Sequence, residues 1–221
     1  MTIVTHPTSL ADQLRSQNQL SRSRIPQEAL VVMDAATAAV AASGIVEASL
    51  QVGETVPPFV LPDPTGNSVA ILDLLAGGPV VLAFYRGGWC PYCSTQLRAL
   101  QAVLPELRHA EATLLAISPQ TPDNSLSTAE KLELACPVLS DAGNRVARSF
   151  GLVFSVPESL RGVYQGFGID LPAANGDESF ELPVPATYVI RRDGMVVWRF
   201  VDPDYTRRAE PGDVLAALRG L

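Results

Sequence analysis

The sequence predicts an α/β domain, a central mixed β-sheet flanked by helices, preceded by an N-terminal helical extension. Three observations predict it. Two short apolar, β-rich runs at 79–85 and 112–118 are separated by one helical pattern, which makes a βαβ unit with parallel strands. Two further runs at 185–190 and 195–200 are joined by Arg191-Arg192-Asp193-Gly194, and Asp-Gly at a tight turn signals a hairpin. Residues 1–50 look helical and separate in character, so the chain divides into an extension over 1–50 and one domain over 51–221, with an insertion near 151–184.

Taken in order, residues 9–19 are polar, and Pro26 opens a second helix in which Leu30, Met33, Thr37 and Val40 share a face and Gly44 is the stop. These helices are expected to pack on the core or to make a homodimer contact. From Gly53 the pattern changes to proline-rich turns and short strands up to Leu75. The run at 79–85 has the length and composition of a buried strand, and Arg86-Gly87-Gly88 breaks it. Leu97, Leu100, Leu104 and Leu107 then recur at helical spacing, predicting one amphipathic helix over 91–107. A helix over 128–134, a strand over 136–139 and a helical turn over 144–150 follow. Pro211 opens a last helix with Val214, Leu215, Leu218 and Leu221 inward. Asp202, Asp204, Tyr205 and Arg207 follow the last strand and are weighed toward a local role rather than a place in a site.

A chain of 221 residues with 47% hydrophobic content can bury a sizeable core. Its net charge of −7 argues against nucleic acid or an anionic membrane surface as a partner. The first residues lack a basic segment followed by an apolar one, and the apolar stretch at 29–46 carries Asp34, Thr37, Ser43 and Gly44, too polar for a membrane span. Three cysteines, two of them in one motif, suggest a reducing compartment, and the cytoplasm is the expected location.

That motif, Trp89-Cys90-Pro91-Tyr92-Cys93, sets two thiols three residues apart where a strand meets a helix. It reads as a redox centre. Cys90 falls at the helix N-terminus, where free N–H groups and the helix dipole stabilise an anion, so it is expected to be the more ionised thiol and the nucleophile. Cys93, one turn on, faces the same side and is expected to resolve the oxidised Cys90 as a disulfide. Pro91 fits the first turn. A metal site is not expected, because only Cys136, His6 and His109 could complete one, and no cofactor is called for. Cys136 reads as a buried structural thiol, and His109 as a residue closing its helix.

Gly53-Glu54-Thr55-Val56-Pro57-Pro58-Phe59-Val60-Leu61, the cysteine motif, Leu139-Ser140-Asp141 and Pro185-Ala186-Thr187-Tyr188-Val189-Ile190 occur in an order that resembles the thioredoxin-fold peroxiredoxins of the alkyl hydroperoxide reductase and thiol-specific antioxidant group. Cys90-Pro91-Tyr92-Cys93 is also identical to the tetrapeptide typical of glutaredoxins. The resemblance implies a thioredoxin-like fold, Cys90 at the peroxidatic position, and Pro185 as the proline that is usually cis and packs beside the disulfide. It also implies a thioredoxin- or glutaredoxin-type reductant. The usual proline and threonine upstream of the peroxidatic cysteine are here Ala83 and Gly87, and the usual arginine before the hairpin strand is Pro185. Supporting roles are expected for Arg86, which could lower the Cys90 pKa or hold a peroxide, for Trp89 as a shield, and for the Thr187 hydroxyl.

The expected activity is thus reduction of hydrogen peroxide or organic hydroperoxides through a Cys90 sulfenic acid and a Cys90–Cys93 disulfide. Two alternatives stay open. One is a thiol–disulfide oxidoreductase acting on disulfides. The other is a non-catalytic redox sensor.

Overall fold

The computed structural model describes residues 9–221, so His6 lies outside the described residues. Ser9 caps helix α1 (Leu10–Arg22), its hydroxyl accepting from the Asp12 N–H. Pro26, which cannot continue a helix backwards, precedes α2 (Gln27–Ala41). Gly44, at φ 75°, turns the chain into the short α3 (Ile45–Ala48). A small antiparallel ribbon, β1 (Val60–Pro62) with β2 (Ser68–Ala70), and α4 (Ile71–Gly77) lead to the sheet.

The central sheet has five strands. The order is β5 (Val138–Ser140), β4 (Thr113–Ser118), β3 (Val80–Phe84), β8 (Ala186–Ile190), β9 (Val196–Val201), with β6 (Val153–Ser155) and β7 (Glu181–Pro183) forming a separate antiparallel pair. β3 pairs parallel with β4 and antiparallel with β8, and β8 pairs antiparallel with β9, so the βαβ unit and the hairpin read from sequence both form. Gly194, at φ 86°, makes the hairpin turn.

Alternation along β3 divides its side chains between two cores. Val80, Leu82 and Phe84 join the face packed by Ile71, Phe150 and Tyr188. Val81 and Ala83 join the opposite face with Leu100, Leu107 and Val214. Both faces are covered, which is why the strand reads as a continuous apolar run.

The helix expected over 91–107 is in fact two, α5 (Pro91–Ala102) and α6 (Leu104–His109). Pro105 explains the break: it has no N–H to donate, and its ring collides with the carbonyl four residues back. α7 (Pro122–Leu132) starts earlier than the expected 128, because Thr121 caps it and Pro122 sits at its first position. α8 (Arg145–Ser149) follows a 3-10 turn. The segment 151–184, expected from sequence as an insertion, contains β6, α9 (Glu158–Gly166), α10 (Leu171–Asn175) and β7, and α11 (Pro211–Arg219) packs on the sheet.

The carboxylate of buried Asp141 accepts from the Val146 and Ala147 N–H groups at 3.0 and 2.8 Å, ending the strand β5 and starting α8. Asp141→Ala leaves those buried donors unpaired. It should cost about 1 to 2 kcal/mol of stability, read as a lower denaturant midpoint at unchanged m-value.

The expected cis proline is another correction. No peptide bond among the described residues is cis, so Val184–Pro185 is trans. Trans is the lower-energy form of an X–Pro bond, and here nothing opposes it. The Val184 N–H is held by the Leu152 carbonyl at 2.8 Å, and the chain continues extended from β7 into β8.

Candidate active site

β3 delivers the chain to the site and α5 carries it away. Between them, Gly87 takes φ 150°, and a Cβ there would lie 2.3 Å from the Trp89 indole nitrogen, so the loop needs glycine to let the indole fold back. The Gly88 N–H donates to Gln120 Oε1 at 2.8 Å. Cys90 is the N-cap of α5, with Pro91 at the first helical position and the Cys90 carbonyl receiving the Ser94 N–H at 3.1 Å. All three cysteines are free thiols and all are buried, Cys90 at 1% and Cys93 at 0% exposure.

Cys90 and Cys93 share a hydrogen bond, and their surroundings differ. Burial pushes the Cys90 thiol well up, and donation to the Cys93 sulfur and the charge there push it further; Arg86 and Arg208 act against this. Burial also opposes a Cys93 thiolate. The Cys90 S–H, the Arg208 and Arg86 guanidiniums and the Arg86 backbone N–H outweigh that, holding Cys93 well below the usual thiol value. The Arg208 Nη2 lies 3.4 Å from Cys93 Sγ, and its Nη1 donates to the Tyr205 and Arg207 carbonyls. The electrostatics therefore reverse the expectation that the helix N-terminus makes Cys90 the more ionised thiol. The reason is the hydrogen bond that the Cys90 S–H gives to Cys93, together with a buried cation 115 residues away in sequence.

Arg86 is 3% exposed and enclosed by aromatic rings: its guanidinium carbon lies 4.6 Å from the Tyr205 centroid, 4.9 Å from that of Trp89 and 5.6 Å from that of Tyr164. Its Nη2 donates to the Tyr164 hydroxyl, while Nε has no hydrogen-bond partner. Burial opposes its charge, but Tyr164 and Cys90 facing it keep it a cation above the ordinary arginine value. Around this cage lies a cavity of about 120 Å³ whose walls include Cys90, Trp89, Tyr92, Tyr164 and Tyr205. Cys90 opens onto this cavity and Cys93 does not.

Of the other residues singled out, Thr187 is fully buried and its hydroxyl accepts from Gln96 Nε2 at 3.0 Å, tying β8 to the thiol helix. Pro185 lines an adjoining cleft with Arg86, Tyr164 and Tyr205 rather than the wall containing Cys90. Cys136 sits in the other core, with Leu104, Leu107 and Val189, and burial pushes its thiol up to about 11. Cys136→Ser should leave peroxide turnover within about twofold of the parent in a coupled assay. Among the described residues no cluster of three or more metal-ligating side chains forms. None is long and apolar enough, among their helices, to cross a membrane.

Sequence reasoning missed Arg208, Tyr164 and the covering role of the N-terminal helices, and weighed Tyr205 toward a local role rather than a place in the site. Asp202 and Arg207 do pair locally at 3.1 Å, but Tyr205 turns inward over Arg86. The extension covers the thiols: Leu10 and Leu14 of α1 pack in one cluster with Cys90, Cys93 and Tyr92. Asn18 accepts from the Tyr92 hydroxyl at 3.0 Å, and Gln17 from Thr95 at 2.7 Å.

A mixed sheet with a dithiol at the C-terminal end of a central strand defines a thioredoxin-fold thiol redox protein. The chain belongs to the AhpC/TSA family, whose model matches residues 52–199. It is 32% identical over 198 residues to the chloroplastic peroxiredoxin Q of Triticum aestivum, covering 90% of this chain and 80% of that one. It is 34% identical over 103 residues to peroxiredoxin Bcp of Escherichia coli, covering 47% of this chain and 65% of that one. Among solved structures, the peroxidoxin BcpB of Mycobacterium tuberculosis aligns with TM-score 0.62 and 26% identity over 78% of this chain and 98% of that one. A Xanthomonas campestris peroxiredoxin Q aligns with TM-score 0.57 and 22% identity over 73% of this chain and 90% of that one, a likeness of fold.

Proposed function

We propose that this peroxiredoxin-class thiol peroxidase reduces peroxides with Cys90 as the attacking sulfur and Cys93 as the resolving one. The carrying observation is the division between the two sulfurs: Cys90 borders the cavity, and Cys93 lies beneath it against Arg208. As Cys90 attacks the peroxide, the O–O bond breaks. The Cys90 proton passes to the Cys93 sulfur that already accepts it, and from there to the departing oxygen, giving Cys90 sulfenic acid and an alcohol or water. The Cys93 thiolate so restored attacks the sulfenic sulfur, forming the disulfide and releasing hydroxide, which takes a proton from solvent. Arg86, a cation that no carboxylate pairs among the described residues and that lines the cavity with Cys90, is the group proposed to stabilise the negative charge developing on the departing oxygen.

Peroxiredoxins use peroxide substrates and thioredoxin-type reductants, and we propose such a dithiol as the reductant here. A reducing compartment suits three free thiols, and the cytoplasm is the proposed location. A homodimer is the proposed assembly, which a monomeric mass in sedimentation would reject. A substrate groove of the disulfide-oxidoreductase kind gains no support from the trans Val184–Pro185 bond or from thiols packed against α1. Mixing the dithiol protein with peroxide and following the thiols by mass spectrometry tests the proposal. One Cys90–Cys93 disulfide per peroxide is expected, and unreacted thiols would reject it.

A further inference from the structure

Residues 52–199 account for the family match, and the N-terminal helices lie outside it. α2 nevertheless enters the site. Met33 borders both the cavity at Cys90 and an adjoining narrow cleft, and Ala36, Thr37 and Val40 continue the cleft wall along one face of the helix. Opposite them stand Phe154 and Leu160 of the insertion. The cleft is narrow, no carboxylate lines it, and its one charged lining group is Arg86, at the end shared with the cavity. Thr37 presents little polarity, because its hydroxyl donates to the Met33 carbonyl at 3.0 Å. Ala36 packs with Val156, Leu160 and Tyr164, so helix and insertion hold each other in place.

We infer that α2 completes the peroxide chamber and selects peroxides carrying a slender apolar body, with Met33 as the residue that sets this preference. This rests on the peroxidase reading above. The peroxide group is placed by Arg86 and Cys90 at one end. An unbranched alkyl chain then runs into the cleft and trades water for Met33, Val40 and Leu160. Hydrogen peroxide fills only the shared end and gains nothing from these walls. The selectivity therefore comes from a segment outside the matched family domain.

The test compares kcat/KM for hydrogen peroxide, ethyl hydroperoxide and hexyl hydroperoxide in the full-length protein and in Met33→Trp and Val40→Trp, with thermal melting to confirm folding. In the parent, kcat/KM should rise with chain length. Met33→Trp, which fills the cleft where it meets the cavity, should lower the hexyl-to-hydrogen-peroxide ratio about tenfold. Val40→Trp should lower the ratio for hexyl more than for ethyl hydroperoxide; Met33 and Val40 are both only partly buried, so either variant can carry the test alone. A parent without chain-length preference, or ratios unmoved by both substitutions, overturns the inference and leaves the peroxidase reading standing. A parent that reduces none of the three peroxides overturns that reading, and this one with it.

Discussion

Replacing Cys90 with serine lowers the second-order rate constant for peroxide by at least about a thousandfold, because a hydroxyl in that position neither ionises nor attacks as a thiolate does. Cys93→Ser gives a different result: one equivalent of peroxide reacts, no disulfide follows, and Cys90 sulfenic acid accumulates and can be trapped by a dimedone-type reagent. Quench-flow with mass spectrometry reads both. The assignment turns on access, since Cys90 faces the cavity and Cys93 is sealed. If the sulfenic acid instead appears on Cys93 in a Cys90→Ser variant, the order of the two sulfurs is reversed, and the more ionised thiol is then also the nucleophile.

Arg208→Met is the second large effect. Cys93 is held below the usual thiol value in part by this guanidinium, so its thiolate is populated from a lower pH than an ordinary cysteine's. The rate of disulfide formation therefore rises with pH through the Cys93 value and then levels. Removing the cation moves that rise to higher pH and slows the step about tenfold or more at neutrality, while Arg208→Lys keeps a charge and restores part of it. Ultraviolet titration of the thiolate reads the displacement directly. A variant that melts earlier but keeps the parent pH profile would leave Arg208 a purely structural role.

What could be read from sequence and what could not divide along chain separation. The β3 strand, the motif behind it, the hairpin at Gly194 and the last helix all rest on local patterns: an apolar run, a break, a turn dipeptide, a 3.6-residue period. Pro105 was equally local, yet the leucine stripe continues through it, and periodicity alone hides the break. The environment of the thiols is different. Arg208 reaches Cys93 across 115 residues, Tyr164 reaches Arg86 across 78, and Asn18 reaches Tyr92 across 74. No spacing rule relates such pairs. An arginine in a loop before the final helix has the same local signature whether it faces water or a sulfur. Likewise the polar α1 pattern revealed a helix but not that Leu10 and Leu14 would close over a redox centre.

The Glu210 carboxylate accepts from the Leu10 and Ala11 N–H groups at 3.1 and 2.6 Å, so the helix that covers the thiols is fastened to the turn that opens the last helix. Both sulfurs are almost fully buried in the cluster that this helix closes, and a protein dithiol is far larger than a peroxide. Recovery is therefore expected to need a displacement of the helix that oxidation does not need. With ample reductant, turnover should then level at a ceiling set by the fold and shared by every protein partner that can restore the dithiol.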